Sequence, residues 1–459
     1  MSNKKGRLSM RVWTAIILFM FISSIAGGVE SMYLGLFLDN TVFKDGAMGA
    51  SITLTDAVNL IASLAAVVSG ITTFVMGTLS EKMKNRKLFV SVGFILWGIV
   101  MLIFSAIKKD NVANVFGLTD IAEIITATAI IVISFALILA FLRSTTCDAA
   151  FNSWIVDVST PETSAIIETA FTIMGFVATG VITFLVSNAQ LGKMEYSAIF
   201  VLFGMIAIIL GVLGFFLIDN PKRNEDAEKV EKETSYLSDL FYGFRPSTIK
   251  KHSNLYLMLS SGCLFNCAYQ VFFPYLFIYL GSVVIPANEG VNLLSIEVII
   301  TTIIALIAVV AGVLLFMRVY PISKSLSFIP SVVCFIIGLL ILSFTKSIVG
   351  IIAGLGPGLL GYIIIMIQFG ATVRDNIPKD KVGLFQGIRM IFLFFIPSVI
   401  GPTLGNIAAK NSDVTYMANG AVKVLPTESM FLYAAIIAAL IFIPMLLFLK
   451  KDKERVKKK

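Results

Sequence analysis

The sequence has few charges, one histidine and four cysteines. Charged residues make up 14% of the 459 residues and hydrophobic ones 57%, whereas soluble proteins carry about 25% charged residues. A soluble globular protein and a disordered chain are both excluded, because disorder requires low hydrophobicity and high charge. The single histidine excludes histidine-rich metal centres and haem pairs, and the cysteines form no CxxC pair. A polytopic membrane protein without a metal or other cofactor is the class that remains.

Long apolar runs are the abundant feature of the chain. A helix crosses the hydrocarbon layer with about 20 apolar residues, and the alternating segments of an outer-membrane barrel are absent. The sequence therefore predicts an all-α integral membrane protein with twelve transmembrane helices in two six-helix bundles. The predicted spans cover residues 12–38, 57–79, 88–107, 126–154, 164–187, 196–218, 255–281, 293–317, 326–345, 348–371, 384–408 and 430–449.

Lysine and arginine are distributed unevenly among the loops. Most of the 36 lie at the two termini or in loops that follow even-numbered spans. By the positive-inside rule, this bias predicts a multi-pass plasma-membrane protein with both termini in the cytoplasm. The net charge of +8 is then explained by solvated membrane flanks, and no nucleic-acid partner is expected.

One long, charged connection divides the predicted spans into six and six. Residues 1–218 are predicted to form an N-terminal bundle and residues 219–254 a cytoplasmic linker. Residues 255–459 are predicted to form a C-terminal bundle with a basic cytoplasmic tail. Parallel halves of this kind are typical of secondary transporters.

A faint internal repeat agrees with this division. Ser91 and Gly98 of the third span recur, at a constant offset, as Ser331 and Gly338 of the ninth span. The same offset relates the neighbouring valines and two leucines. We therefore expect the third and ninth spans to occupy equivalent places in the two halves.

The loop after the second span carries a glycine, an acid and a basic cluster. Gly77, Glu81, Lys82 and Arg86 resemble the signature of the major facilitator superfamily between helices 2 and 3. The resemblance implies the facilitator fold and a role for these four residues in gating. Glu81 is expected to face a helix N-terminus, where the dipole favours an anion. A plain basic loop on the cytoplasmic side is the alternative interpretation.

Two ionisable residues lie deep within predicted spans. A charge at mid-membrane costs about 2.5–3.5 kcal/mol, so each needs a partner or a purpose. Arg143 lies near the middle of the fourth span, and Glu30 of the first span is within reach of its guanidinium. We predict a Glu30–Arg143 pair that lines a central cavity and couples transport to a proton. A salt bridge that only joins the two helices is the alternative.

Asp148 lies five residues after Arg143, a spacing that puts them on different sides of an α-helix, so no pair between them is expected. The segment from Asp148 through Phe151 and Asn152 resembles helix 4 of the glycoside–pentoside–hexuronide, or melibiose-type, cation symporters. The resemblance implies that Asp148 contributes to a sugar site. Arg143 and Asn152 are also predicted to contact the substrate. Asp148 is also a candidate for proton coupling. A polar group near the cytoplasmic gate is the alternative interpretation for Asp148.

The seventh span presents polar and aromatic side chains on one face. Asn266, Tyr269 and Gln270 are spaced so that they share a helical face. Amides and rings together bind polyols, so these three are predicted to contact substrate; an aromatic lipid-facing helix is the alternative. Arg389 of the eleventh span is a candidate gating residue, either reaching the cytoplasm or pairing with Asp148.

These features predict a secondary active transporter that moves a small polar solute, a sugar or a glycoside, by alternating access. A proton is favoured over sodium because the second span has no mid-membrane acid. No Walker A or HExxH motif is present, so an enzyme is not expected. A monomer in a lipid bilayer is predicted. A lipid or glycolipid flippase, or a drug exporter, is the alternative function on the same fold.

Overall fold

The structure is a computed structural model, and it describes most of the chain. The described residues are 8–83, 85–159, 161–190, 192–219, 244–288, 296–319, 324–376, 385, 388–411, 415–416 and 422–457. Within them lie twelve long helices, named α1 to α12 in chain order. These are Met10–Val42, Leu54–Lys82, Arg86–Phe104, Ile121–Val158, Pro161–Gln190, Tyr196–Leu217, Ser253–Ala287, Ile296–Val319, Lys324–Ser343, Ile348–Asn376, Ile388–Lys410 and Ser429–Lys451.

The long helices fit a membrane by length and composition. Ten of those described contain an apolar stretch long enough to cross it. The apolar stretches of α5 and α9 are shorter, at Ile173–Ala189 and Phe328–Ser343. The predicted all-α class with twelve transmembrane helices is confirmed. Several helices extend beyond the predicted spans: α4, predicted at 126–154, covers Ile121–Val158, because its backbone stays helical past the apolar core.

The remaining described elements are short. Helices Lys109–Phe116 and Pro246–Lys251 lie outside the long helices. The first of them ends at Gly117, whose φ of 65° is the left-handed cap conformation that glycine adopts without strain. Two strands, β1 (Thr415–Tyr416) and β2 (Val422–Lys423), pair antiparallel between α11 and α12.

The chain folds into two compact units. Unit 1 consists of Met1–Glu225 together with Thr415–Val424, and unit 2 consists of Asp226–Val414 with Leu425–Lys459. Helices α1 to α6 therefore belong to unit 1 and α7 to α12 to unit 2. Most of the predicted linker, residues 219–254, lies outside the described residues, so its structure stays a prediction.

Glycines lie at close helix crossings in both units. In unit 1, a Cβ atom placed on Gly98 of α3 would lie 2.5 Å from the Gly204 carbonyl oxygen of α6. In unit 2, a Cβ on Gly338 of α9 would lie 2.4 Å from the Gly358 amide nitrogen of α10. Small residues let helices approach closely in a bilayer, where packing replaces the hydrophobic effect as the driving force.

Several long helices contain π-helical turns. Such turns are rare, and they occur frequently at functional sites. Three of them hold an acidic residue: Glu30, Asp39 and Asp148 each lie in one. The π segments described are Val29–Tyr33, Leu38–Val42, Ser144–Phe151, Leu280–Val284 and Ile391–Phe395.

Candidate functional site

Arg143 and Glu30 form the ion pair that the sequence predicts. The Arg143 Nε atom donates a hydrogen bond of 2.7 Å to Glu30 Oε2. Their side chains are 21% and 12% exposed, respectively, so most of each charged group is removed from solvent. Because the residues lie 113 positions apart on α4 and α1, the pair joins two helices of unit 1. The predicted contact between Glu30 and Arg143 is confirmed, and their position beside a central cavity stays a prediction.

Asp148 also contacts Arg143, against the expectation from its spacing. Its carboxylate oxygens lie 3.4 and 3.5 Å from Arg143 Nη1, and Ser144 Oγ donates a bond of 3.1 Å to Oδ2. The prediction that residues five apart would lie on different sides of the helix was wrong. The segment Ser144–Phe151 is π-helical, and a π turn brings residues i and i+5 together.

Local sequence explains how this π segment fits against its neighbours. Thr145 Oγ1 donates to the carbonyl oxygen of Phe141, 2.9 Å away on the preceding turn. A threonine bonded back in this way loosens and bends an α-helix. Thr146 lies against Gly93 of α3, where a Cβ atom would come within 2.0 Å of Thr146 Oγ1. A larger residue at position 93 of α3 would therefore clash with the Thr146 side chain of the π segment.

The charge cluster holds two carboxylates and one guanidinium. Glu30 is bonded through Oε2, and within the described part of the chain its buried Oε1 has no hydrogen-bond partner. Asp148 is the most exposed of the three, with 30% of its side chain accessible. With both acids ionised, the cluster carries one excess negative charge, which a proton or another cation neutralises. Groups of three or more metal-ligating side chains do not occur among the described residues.

Asn152 and its surroundings continue α4 beyond the π segment. Asn152 is exposed, whereas Phe151 and Trp154 on either side of it are buried and stack on each other. Trp154 Nε1 donates a bond of 2.9 Å to the carbonyl oxygen of Asp219. The predicted role of Asn152 in contacting substrate stays a prediction.

The four residues of the loop signature after the second span, which are predicted to act in gating, are described to different extents. Arg86 is buried and its Nε lies 2.7 Å from Asp157 Oδ2, so it joins the start of α3 to the end of α4. At Gly77, no described atom lies within 4 Å of the position of a Cβ. The side chains of Glu81 and Lys82 lie outside the described residues.

In unit 2, the three residues predicted on α7 have different surroundings. The Tyr269 ring stacks on Phe273 with centroids 4.5 Å apart and lies 5.0 Å from Tyr362 of α10. The Asn266 amide donates back to Gly262 of its own helix at 2.9 Å. Gln270 faces α11, where a Cβ on Gly401 would lie 2.4 Å from the Gln270 Cβ.

Arg389 lies at the start of α11 and is half-buried. Its gating role stays a prediction, as do the binding roles of Asn266, Tyr269 and Gln270. Sequence reasoning missed two polar groups of unit 1: Ser144, which bonds to Asp148, and Asp39, which pairs with Lys423. Asp39 lies only one residue beyond the predicted end of the first span, so it was treated as a residue of the loop.

Comparisons with known proteins agree with this architecture. The sequence model of the Major Facilitator Superfamily matches residues 12–402. No curated protein matches the sequence. A variant of the nucleoside transporter NupG is 12% identical and has a TM-score of 0.65, over 95% of this chain and 99% of that one. A bacterial homologue of the human lysosomal transporter Spinster, inward-facing and occupied, is 11% identical with a TM-score of 0.56, over 88% and 83%.

Proposed function

Because the chain belongs to the major facilitator superfamily, we propose that this secondary transporter moves a small polar solute, a sugar or a glycoside, by alternating access. Transport is driven by a proton that Glu30 carries, and Arg143 and Asp148 bind the solute. Within unit 2, the aromatic cluster of Tyr269, Phe273 and Tyr362 on α7 and α10 is proposed to contact the solute as well. The melibiose-like segment that begins at Asp148 supports the sugar. The protein resides in the plasma membrane, with both termini in the cytoplasm.

The observation that carries the proposal is the buried contact between Arg143 and Glu30. A guanidinium and a proton compete for the same carboxylate: the 2.7 Å bond stabilises the ionised form, and burial favours the neutral one. A solute that draws Arg143 toward itself removes the stabilisation and lets Glu30 take up a proton. When the solute leaves, Arg143 returns and the proton is released.

The direct test replaces the carboxylate and leaves its shape. Purified protein in liposomes is given an inward proton gradient, and uptake of tritiated melibiose, xylose and glucose is measured with and without an uncoupler. The parent chain is expected to accumulate one of these sugars, and the uncoupler to abolish accumulation. Glu30→Gln is expected to lose accumulation by about tenfold or more, since it can no longer exchange a proton.

A matched control lies on the same helix as Arg143. Glu123 is an exposed acid in the first turn of α4, and Glu123→Gln is expected to transport as the parent chain does. If Glu30→Gln accumulates solute normally and still responds to the gradient, Glu30 is not the proton carrier.

A nucleoside is the second candidate solute. The clustered rings of Tyr269, Phe273 and Tyr362 offer π-faces of the kind on which a planar base stacks, and a nucleoside also contains a sugar. The NupG transporter, similar in fold, carries nucleosides by its name. Including tritiated uridine in the uptake panel separates the two candidates. A lysolipid in the same panel tests the flippase alternative.

A further inference from the structure

A short segment between α11 and α12 belongs to the other half of the molecule. We call this segment, Thr415–Val424, the strap; its described residues, 415–416 and 422–424, contain β1 and β2, which pair with Tyr416 opposite Val422. The strap packs within unit 1, whereas the helices on both sides of it, α11 and α12, are part of unit 2. The chain therefore passes from unit 2 into unit 1 at the strap and then returns to unit 2.

The strap is held in unit 1 by a buried ion pair and a backbone bond. Lys423 Nζ lies 2.6 Å from Asp39 Oδ1, and the side chains of Lys423 and Asp39 are only 10% and 2% exposed. Lys423 Nζ also donates to the carbonyl oxygen of Asp39 at 3.4 Å. The Val422 carbonyl oxygen accepts a bond of 2.9 Å from the amide of Ala47.

This arrangement makes docking nearly all-or-none. Removing one partner of a buried pair leaves an uncompensated charge and is strongly unfavourable. If the strap were only partly displaced, Asp39 in the π segment Leu38–Val42 would stay buried without its cation. The strap is accordingly stable either fully docked or fully released, with both charges hydrated.

The connections between the strap and unit 2 contain few residues. Four residues, 411–414, separate Lys410 from Thr415, and four more, 425–428, separate Val424 from Ser429. Four residues reach at most about 14 Å when fully extended. A displacement of α11 or α12 beyond the slack in these connections pulls the strap from Asp39.

We propose that the strap is a conformational lock that docks on Asp39 through Lys423 and is released once in every transport cycle. The inference rests on transport by alternating access, in which one half rocks against the other, and is independent of the solute and of the coupling ion. While it is docked, the strap resists the movement; its release permits the opposite state.

A disulfide between the strap and the segment of unit 1 that follows α1 tests the lock. Ala47→Cys with Val422→Cys joins the two residues that share the backbone bond. Oxidation is expected to lower uptake of tritiated melibiose or uridine by about tenfold or more, and reduction to restore it. Equal uptake by the oxidised, cross-linked and reduced forms would overturn the proposal.

The control disulfide joins two parts of unit 1 that are expected to move together. Ser51→Cys with Thr126→Cys replaces a bond of 3.1 Å between the Ser51 amide and Thr126 Oγ1. Its oxidation is expected to leave uptake unchanged, as is oxidation of the parent chain. If Glu30→Gln proves harmless while the strap disulfide still arrests uptake, the proton proposal fails and the lock stands.

A labelling experiment covers the case in which the disulfide does not form. Ala47 is 8% exposed, so Ala47→Cys is expected to react with a membrane-impermeant maleimide at least about tenfold more slowly than the exposed Ser51→Cys. Adding Asp39→Asn is expected to release the strap, which reduces the difference between the two labelling rates. Equal labelling rates at the two positions, or no effect of Asp39→Asn, would contradict the lock.

Discussion

Both units pack aromatic rings in their interiors, but among the described residues only unit 1 also holds ion pairs that are largely buried. Three such pairs join separate segments of unit 1. The described interior of unit 2 is joined by packed rings and by neutral hydrogen bonds. The pairs in unit 1 are Glu30–Arg143, Asp39–Lys423 and Arg86–Asp157. The contacts in unit 2 include Tyr269–Phe273, Phe265–Phe335, Tyr275–Pro402 and Ser331–Gln368.

This difference assigns different tasks to the two halves. A buried charge responds to protons and to counter-ions, because its free energy changes when either arrives. Rings and neutral hydrogen bonds respond to shape and to hydrogen-bonding partners and are indifferent to the membrane potential. We therefore expect proton coupling to depend on the charges of unit 1, and we expect the rings of unit 2 to add to the discrimination between solutes.

The repeated glycine shows a second difference. Gly98 and Gly338 stand at equivalent places in the sequence, and both lie at close helix crossings. Gly98 of α3 packs against α6, whereas Gly338 of α9 packs against α10. A repeated small residue therefore specifies a close crossing without specifying its partner, since either neighbour fits the flat surface that a glycine leaves.

Removing the guanidinium should have the largest effect on stability. Arg143→Met leaves Glu30 and Asp148 facing each other without a cation, and breaking a buried pair costs about 3–5 kcal/mol. We expect a clear fall in the unfolding temperature of the purified protein, measured by intrinsic fluorescence. The double variant Glu30→Gln with Arg143→Met should recover much of the loss. An unchanged unfolding temperature for Arg143→Met would show that the cluster is solvated.

The glycine crossings should show the next largest effect. Gly98→Ala and Gly338→Ala each force a methyl group against backbone atoms, and overpacking of this kind costs about 1–3 kcal/mol. Gly175→Ala on α5 is the matched control, because no described atom lies within 4 Å of its Cβ position. The control should be neutral or slightly stabilising, since alanine favours a helix. Equal behaviour of all three variants in thermal unfolding would contradict the close crossings.

Because part of α4 is π-helical, the position of the carboxylate along the helix should decide whether it reaches Arg143. Cys147→Asp combined with Asp148→Asn moves the carboxylate one position closer to Arg143 in sequence. In an α-helix this would improve the pair, because residues four apart face each other. In the π segment it turns the carboxylate away, so uptake should be no better than for Asp148→Asn alone. Recovery of uptake by the double variant would show that α4 is α-helical during transport.

Much of the fold follows from the sequence, because exposing any of the twelve apolar runs to water would be strongly unfavourable in free energy. The Glu30–Arg143 pair also follows, because two buried charges of opposite sign find each other at matching depth. The Arg143–Asp148 contact did not follow. The α-helical period places residues five apart on different sides of a helix, and the composition of an apolar helix does not predict a π turn.

The strap shows the other limit of sequence reasoning. Lys423 and Asp39 are 384 residues apart, and Lys423 lies in the loop between the eleventh and twelfth predicted spans, where a lysine is expected to be solvated. Nothing in that local pattern says that its ammonium group is buried. A long-range ion pair becomes visible only once the helices fix which ends of the chain meet.

The smallest effect should come from an exposed pair at the edge of unit 1. Lys108 Nζ lies 3.0 Å from Glu195 Oε2, and hydrogen bonds from Lys108 and Ser197 hold the pKa of Glu195 below its ordinary value. A carboxyl whose pKa is lowered on folding stabilises the fold above its unfolded pKa. That contribution is lost as the pH falls from about 4.5 through the folded value.

Lys108→Ala should therefore lower the unfolding temperature slightly at neutral pH and have no effect in acid below the folded pKa of Glu195. High salt should also remove the small difference, because exposed charges are screened. The same measurement on Arg143→Met should show a difference that salt leaves largely intact, because its charges are buried. If salt weakened both effects equally, the distinction between buried and exposed ion pairs in unit 1 would be wrong.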